Sequence, residues 1–271
     1  MLFTKMQGLG NDYLYVYGEV PEDAAHLSEK LSDRHFGAGS DGMIYISPSG
    51  SADFKMRIFN ADGSEAKMCG NGIRCVAKYV HDHGLTRKTT LCIDTLSGVK
   101  TVQLQLTDGV ATAATVDMGM PEVKGEGLRV KDERLKPRRG DGRPAGVYVS
   151  MGNPHYVCFV DDVMSVDVAK KGSRLEYEAM PGKRCNVEFA TIRPDGSIRM
   201  RVWERGSGIT LACGTGACAT AVAASVLGLT GKESRVEMDG GTLSITWADN
   251  GHVLMTGPAE TVFEGTITME D

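Results

Sequence analysis

Three things are missing from this 271-residue sequence, and each removes a class of function. There is no basic excess. Lys and Arg number 30 against 35 Asp and Glu, a net charge of −5, so the overall balance gives no reason to expect nucleic acid or a membrane surface as a partner. There is no apolar run near the roughly 18 uncharged residues of a membrane helix. The opening MLFTKMQGLGNDYLYVYG is broken by polar and charged residues where a secretory signal would carry an apolar core. There is also no C-x2-C pair. Seven cysteines, at 69, 75, 92, 158, 185, 213 and 218, make an odd set without compact spacing, which argues against a zinc site and against a disulfide framework. The expectation is a cytosolic, globular protein with free thiols, long enough for one large domain or two ordinary ones.

What is present is a long-period duplication. Residues 56–72, MRIFNADGSEAKMCGNG, lie over residues 200–216, MRVWERGSGITLACGTG. Met, Arg, Cys and two Gly coincide at an offset of 144, which persists to GLT at 84–86 and 228–230. GNDYLYV at 10–16 fits GNPHYVCFV at 152–160 at a slightly different offset. So long a period indicates two related domains rather than a solenoid. In each half, β-branched and aromatic runs read as strands: YLYVYG, MIYIS and DFKMRIFN in the first, AGVYVSM, YVCFV and IRMRVWE in the second. Each cysteine then opens a helix of about 14 residues that a glycine, Gly84 or Gly228, stops. Further strands follow: TLCIDT, KTVQLQL and ATVDMG, then SRVEM, TLSITW and HVLMTG. Helices are also expected at 22–34 and 162–180, and a polar loop at 124–144. The fold class is α/β (α+β) in two pseudo-symmetric domains, 1–115 and 116–258. The terminal strand within 259–271 returns to the first.

The C-G-x-G pair carries the chemistry. A cysteine at a helix N-terminus faces unpaired N–H groups and the positive end of the dipole, which favours thiolate. The glycines let backbone amides approach an anion. If the halves face one another, two sulfurs and two anion cradles meet at one cleft. One thiolate takes a proton from a carbon beside a carboxylate while the opposite thiol returns one, and the stereocentre inverts. Two such thiols titrate as a coupled pair. The remaining five cysteines read as small buried hydrophobes, Cys185 among them despite its polar neighbours.

MCGNGIRC, ACGTGACA, GLGNDY, GNPH, RCNVEF and WERGSG, in this order along nearly the whole chain, closely resemble the diaminopimelate epimerase family. The resemblance implies cofactor-independent, two-base interconversion of LL- and meso-2,6-diaminopimelate for lysine and peptidoglycan synthesis. It implies two domains, each a curled mixed sheet or barrel around a central helix, with the site in the cleft. By motif, Cys69 and Cys213 are the bases, donor and acceptor respectively in the LL direction. Gly70, Asn71, Gly214 and Thr215 cradle the carboxylate. Asn11, Asn60, Asn153, Asn186, Glu204 and Arg205 hold the rest of the substrate, and His155 and Glu204 support the thiols. Some members bind substrate through a glutamine where this chain has Gly42. No metal and no cofactor are expected. The partner is the small-molecule substrate, not nucleic acid or membrane, with a homodimer as the assembly.

Two other readings are open. A proline racemase-like enzyme would use the same frame, but its first motif usually has histidine where Asn71 stands. A non-catalytic anion-binding protein or thiol redox switch would close the two cysteines into a disulfide. Several motifs are discounted. GAGSDG at 37–42 satisfies G-x-G-x-x-G but precedes a strand. The histidines of HDHG at 81–84 suit a helix C-terminus better than a metal. Lys136, Arg138, Arg139 and Arg143 have acidic neighbours and no interleaved aromatics, as a solvated loop would.

Overall fold

The structure is a computed structural model that describes residues 1–124, 146–180 and 182–268. Most of the expected polar loop and the four basic residues at 136–143 lie outside them. The chain divides into two compact units, Met1–Asp117 with Thr256–Asp271, and Met118–Met255.

The first unit runs β1 (Leu2–Gly8), β2 (Asn11–Tyr17), α1 (Ala24–Ser32), β3 (Gly42–Pro48), β4 (Phe54–Asn60), β5 (Glu65–Ala66), α2 (Gly70–Asp82), β6 (Thr90–Thr95), β7 (Gly98–Thr107) and β8 (Val110–Asp117). β1–β2 and β3–β4 are antiparallel, while β2–β3 and β4–β6 are parallel. A parallel pair needs a crossover, and α1 and α2 supply the two. β6–β7 and β7–β8 extend the sheet antiparallel, and β5 pairs with β4.

The second unit runs β9 (Glu122–Lys124), β10 (Gly146–Ser150), β11 (Pro154–Phe159), a 3-10 turn at Val163–Ser165, α3 (Val168–Glu178), β12 (Asn186–Ile192), β13 (Ile198–Glu204), β14 (Gly208–Thr210), α4 (Gly214–Val226), β15 (Glu233–Met238), β16 (Gly241–Trp247) and the first half of β17 (Val253–Pro258), whose second half belongs to the first unit. Its pairing repeats that of the first unit. β10–β11 and β12–β13 are antiparallel, β11–β12 and β13–β15 parallel, and β15–β16 antiparallel. The last strand, β18 (Glu260–Thr266), pairs antiparallel with β1. The N–H of Ala259 reaches the Thr112 carbonyl on β8, so the first unit's sheet curls round on itself.

Each sheet wraps one helix. α2 packs against β1, β2, β7 and β8, and α4 against β10–β13, β15 and β16. Both helices are therefore buried nearly throughout: Gly70–Val80 in α2, and all but Thr215 from Gly214 to Ala224 in α4. α1 and α3 cover the other face, on β3–β4 and β12–β14. Strands covered on both sides lose the apolar–polar alternation, as in MIYI at 43–46 and NVEFA at 186–190, buried without a break. Hence 186–192 offered no alternation to read, whereas the opening strand 2–8, whose burial does alternate from Thr4 to Gly8, was passed over. The two central helices end alike. Gly84 and Gly228 take φ of +70° and +69°, and Leu85 and Leu229 donate back to Val80 and Ala224, as a helix closed by a left-handed glycine does. His83 caps the first one, its Nδ1 2.9 Å from the Tyr79 carbonyl. Cys75, Cys158, Cys185 and Cys218 are buried, but Cys92 is only half-buried, its alternate place on β6 leaving it off the core face. No helix among the described residues is long and apolar enough to cross a membrane.

α3 lies so close to β13 that a Cβ on Gly172 would come within 2.4 Å of Trp203 Cβ. Gly172→Ala, normally favourable in a helix, should here cost about 1–3 kcal/mol by overpacking. Urea unfolding of the variant should show the lower midpoint.

Candidate active site

Cys69 is the N-cap of α2, with extended backbone (φ −137°, ψ 117°), and Cys213 is the N-cap of α4 (φ −126°, ψ 109°). The first helical bonds close on their carbonyls, from Ile73 to Cys69 and from Ala217 to Cys213. The amides of the intervening C-G-x-G residues precede the helical ladder and have no acceptor within it. The second glycine of each motif has a reason the sequence reading did not supply. A Cβ on Gly72 would lie 2.7 Å from Ile44 Cδ1, and one on Gly216 would lie 2.7 Å from Glu188 Oε1 and 3.2 Å from Cys213 Sγ. Each glycine lets the helix start press onto the strand below it.

Around Cys69, every amide orientation is fixed by a charged group. Asn11 Nδ2 donates to Asp41 Oδ2 at 2.8 Å, so Asn11 Oδ1 points at the sulfur. The fully buried Arg74 donates to Asn71 Oδ1 (3.0 Å) and to the Gly70 carbonyl (3.1 Å), so Asn71 Nδ2 turns to Asn11 Oδ1 (3.4 Å). The Cys69 thiol donates to that same Asn11 oxygen at 3.3 Å, and the Gly72 N–H donates to Sγ at 3.3 Å. Burial pushes the Tyr13 phenol well above its usual range, and the adjacent Cys69 sulfur adds to this. Asn60 is a turn residue here. Its Nδ2 donates to Ser64 Oγ at 3.0 Å and its N–H to the Ser64 carbonyl.

Around Cys213 the chemistry differs. Glu204, in the place equivalent to Asn60, accepts from the Thr210 hydroxyl and lies near enough to Cys213 for each to bear on the other's ionisation. Burial raises the Glu204 carboxyl and pushes the Cys213 thiol far up, with Glu204 and Glu188 adding repulsion. Thr215 Oγ1 is 3.6 Å from Cys213 Sγ and accepts from Asn153 Nδ2 at 3.2 Å. Asn153 Oδ1 is 3.1 Å from His155 Nε2, and His155 Nδ1 is 2.6 Å from Glu188 Oε1. Asn186 stands slightly apart, holding the Pro154 carbonyl (3.2 Å) and the Arg205 N–H (2.9 Å). The Arg205 side chain is exposed.

The first unit thus groups Asn11, Asn71 and Cys69, and the second groups Asn153, His155, Glu204, Thr215 and Cys213. Sequence reasoning missed the roles of Asp41, Arg74 and Glu188, which lie within GAGSDG, MCGNGIRC and RCNVEF but act by orienting these groups. The alignment offset offered one signal: Glu188 falls 144 residues after the apolar Ile44. At Gly42, an added Cβ would be 2.2 Å from the Phe59 carbonyl oxygen, so with this backbone no side chain replaces the glutamine some family members carry. No group of three or more His, Cys, Asp or Glu suited to a metal occurs among the described residues.

A family model described as diaminopimelate epimerase matches residues 3–124 and 147–262. A diaminopimelate epimerase of Phocaeicola vulgatus is 52% identical over 274 residues, covering 98% of both chains. Among solved structures, a Bacillus anthracis phenazine biosynthesis protein of the PhzF family aligns with a TM-score of 0.74 at 18% identity over 99% of both chains. A hydroxyproline epimerase from Agrobacterium vitis aligns at 0.70 and 17% identity, over 98% of this chain and 90% of its own. At such identity these two share the fold.

Removing the charge of Glu204 removes a repulsion that disfavours the Cys213 thiolate. Glu204→Gln should therefore move the midpoint of Cys213 alkylation by iodoacetamide to lower pH, read by peptide mass spectrometry. A midpoint that stays in place or rises would contradict this electrostatic assignment.

Proposed function

The chain belongs to the diaminopimelate epimerase family, and from that premise we propose that it interconverts LL- and meso-2,6-diaminopimelate by passing protons across one carbon between Cys69 and Cys213. The observation that carries the reading is the repeated placement of each cysteine at the N-cap of a buried helix, with polar groups aimed at its sulfur.

The two sulfurs have unequal surroundings, as a reaction on two unlike faces requires. Cys69 keeps its proton directed at Asn11 Oδ1, the form in which it donates. Cys213 lies beside Glu204 and Thr215, which hold and orient a proton that the sulfur gains or loses. From the LL isomer, Cys213 takes the α-proton and Cys69 returns one to the opposite face; the reverse direction exchanges the roles. The amides of Gly70, Asn71, Gly214 and Thr215 receive the reacting carboxylate and stabilise the charge that spreads into it. Asn60, Asn153, Asn186 and Arg205 hold the remaining polar groups of the substrate. Burial also pushes the Cys75 and Cys185 thiols up, to about 11 and about 12. Free thiols at all seven positions suit a cytoplasmic setting.

A racemase acting on proline is less well supported. The hydroxyproline epimerase is only 17% identical, against 52% for the diaminopimelate epimerase.

In D2O without added cofactor, the reduced protein should exchange the α-hydrogen of LL-diaminopimelate and accumulate the meso isomer. Cys69→Ala and Cys213→Ala should each lower kcat by about 10³-fold or more, consistent with loss of a general acid or base. Exchange with proline alone would transfer the chain to the racemase reading. No exchange with any amino acid would leave the anion-binding or redox reading.

A further inference from the structure

The two units can be compared residue by residue through their strand registers. Leu14 pairs with Met43 in the first, and Tyr156 pairs with Val187 in the second. Offsets of 142 on the first strand and 144 on the second follow, so Asn11 matches Asn153, Tyr13 matches His155, and Ile44 matches Glu188. Beneath Cys69 the strands bury an isoleucine and a tyrosine. Beneath Cys213 the same two places hold a fully buried glutamate and histidine, 2.6 Å apart. Burying a carboxylate against an imidazole is a poor way to gain stability over apolar residues of similar size. This pair also leaves Glu188 Oε2 without a hydrogen-bond partner, a buried side-chain oxygen in deficit among the described residues. A feature that costs stability in one copy of a duplicated frame, and is absent from the other, calls for a function.

The geometry points to Glu188 as a positioning residue that acts through His155, Asn153 and Thr215 to aim a hydroxyl hydrogen at the sulfur of Cys213. The chain of contacts is continuous. Glu188 Oε1 is an acceptor, so His155 Nδ1 carries a hydrogen toward it. His155 Nε2 meets Asn153 Oδ1, which leaves Asn153 Nδ2 turned to Thr215 Oγ1. That oxygen then accepts from the amide, and its own hydrogen is left for Cys213 Sγ. In the first unit Asp41 anchors the corresponding amide, Asn11, directly. In the second, the anchor for Asn153 is His155, and Glu188 sets it.

The groups facing Cys213 are Glu204 from β13, Glu188 from β12 and, through Asn153, His155 from β11. The two carboxylates differ in effect. Glu204 bears on the sulfur directly. Glu188 can only accept at His155 Nδ1, whereas a glutamine there can turn its NH2 to the ring instead, so the exchange releases the orientation passed to Asn153 and the aimed hydroxyl is lost.

The inference rests on the two-thiol reading, but its test needs no turnover. The rate constant for iodoacetamide alkylation of Cys213 is measured at one fixed pH in the wild type, Glu188→Gln, Thr215→Val and the double variant. Loss of a hydrogen bond to a charged group corresponds to roughly tenfold, so each single variant should slow labelling about tenfold. The double variant should be no slower than Thr215→Val alone, because both changes break one chain. Unchanged or faster labelling in Glu188→Gln, or an equal slowing by that change in both Thr215 backgrounds, overturns the proposal. If Glu188→Gln does not fold, Thr215→Val suffices, since a wild-type rate in that half-buried variant also overturns it. Activity lost in Cys69→Ala or Cys213→Ala remains a separate result, so failure here and failure of the two-thiol reading are distinguishable.

Discussion

A cysteine at the first turn of a buried helix can serve a ligand only if that turn is seated hard against the sheet beneath it, and the second glycine of C-G-x-G makes this possible. At Gly72 and Gly216 the space for a Cβ is already taken, by Ile44 in one unit and by Glu188 and the sulfur itself in the other. The close seat places the thiol and the amides of the first turn on one small surface, with the Gly72 N–H donating to Cys69 Sγ. The curled sheets and the crossovers that parallel pairing demands serve to bury α2 and α4, and burial holds each N-terminus still.

From this shared frame the two halves diverge in what touches the sulfur. The first uses ion-anchored amides. Asp41 and Arg74 force Asn11 to present an oxygen, and an oxygen there receives the thiol hydrogen. The second uses carboxylates, a histidine and a hydroxyl, around a sulfur whose ionisation burial strongly opposes. A symmetric scaffold that sets one thiol in each half suits an inversion at one carbon, where a proton leaves one face and another arrives at the opposite face.

Much of this was legible in the sequence. The duplicated cysteine motif, the helices it opens and their glycine stops could be read because local chemistry sets them. Residues 186–192 could not, since strands covered on both faces carry no alternation, and the opening strand was passed over although its burial alternates from Thr4 to Gly8. The orienting residues were harder still. Asp41 and Arg74 matter for the amides they turn, contacts made between β2, the loop before β3 and α2 that no spacing announces. Glu188 stood in a motif that was quoted, yet its burial against His155 depends on the β11–β12 register. Gly42 marks the opposite case. Its departure from other members was visible, and the Phe59 carbonyl beside it gives the reason.

The central claim is that the two sulfurs address opposite faces of one carbon. A diaminopimelate analogue with an electrophilic α-substituent, prepared as its LL and meso isomers and mapped by peptide mass spectrometry, tests it most directly. One isomer should alkylate Cys69 and the other Cys213, each at a single position. Modification of the same cysteine by both isomers, or of neither, would contradict it.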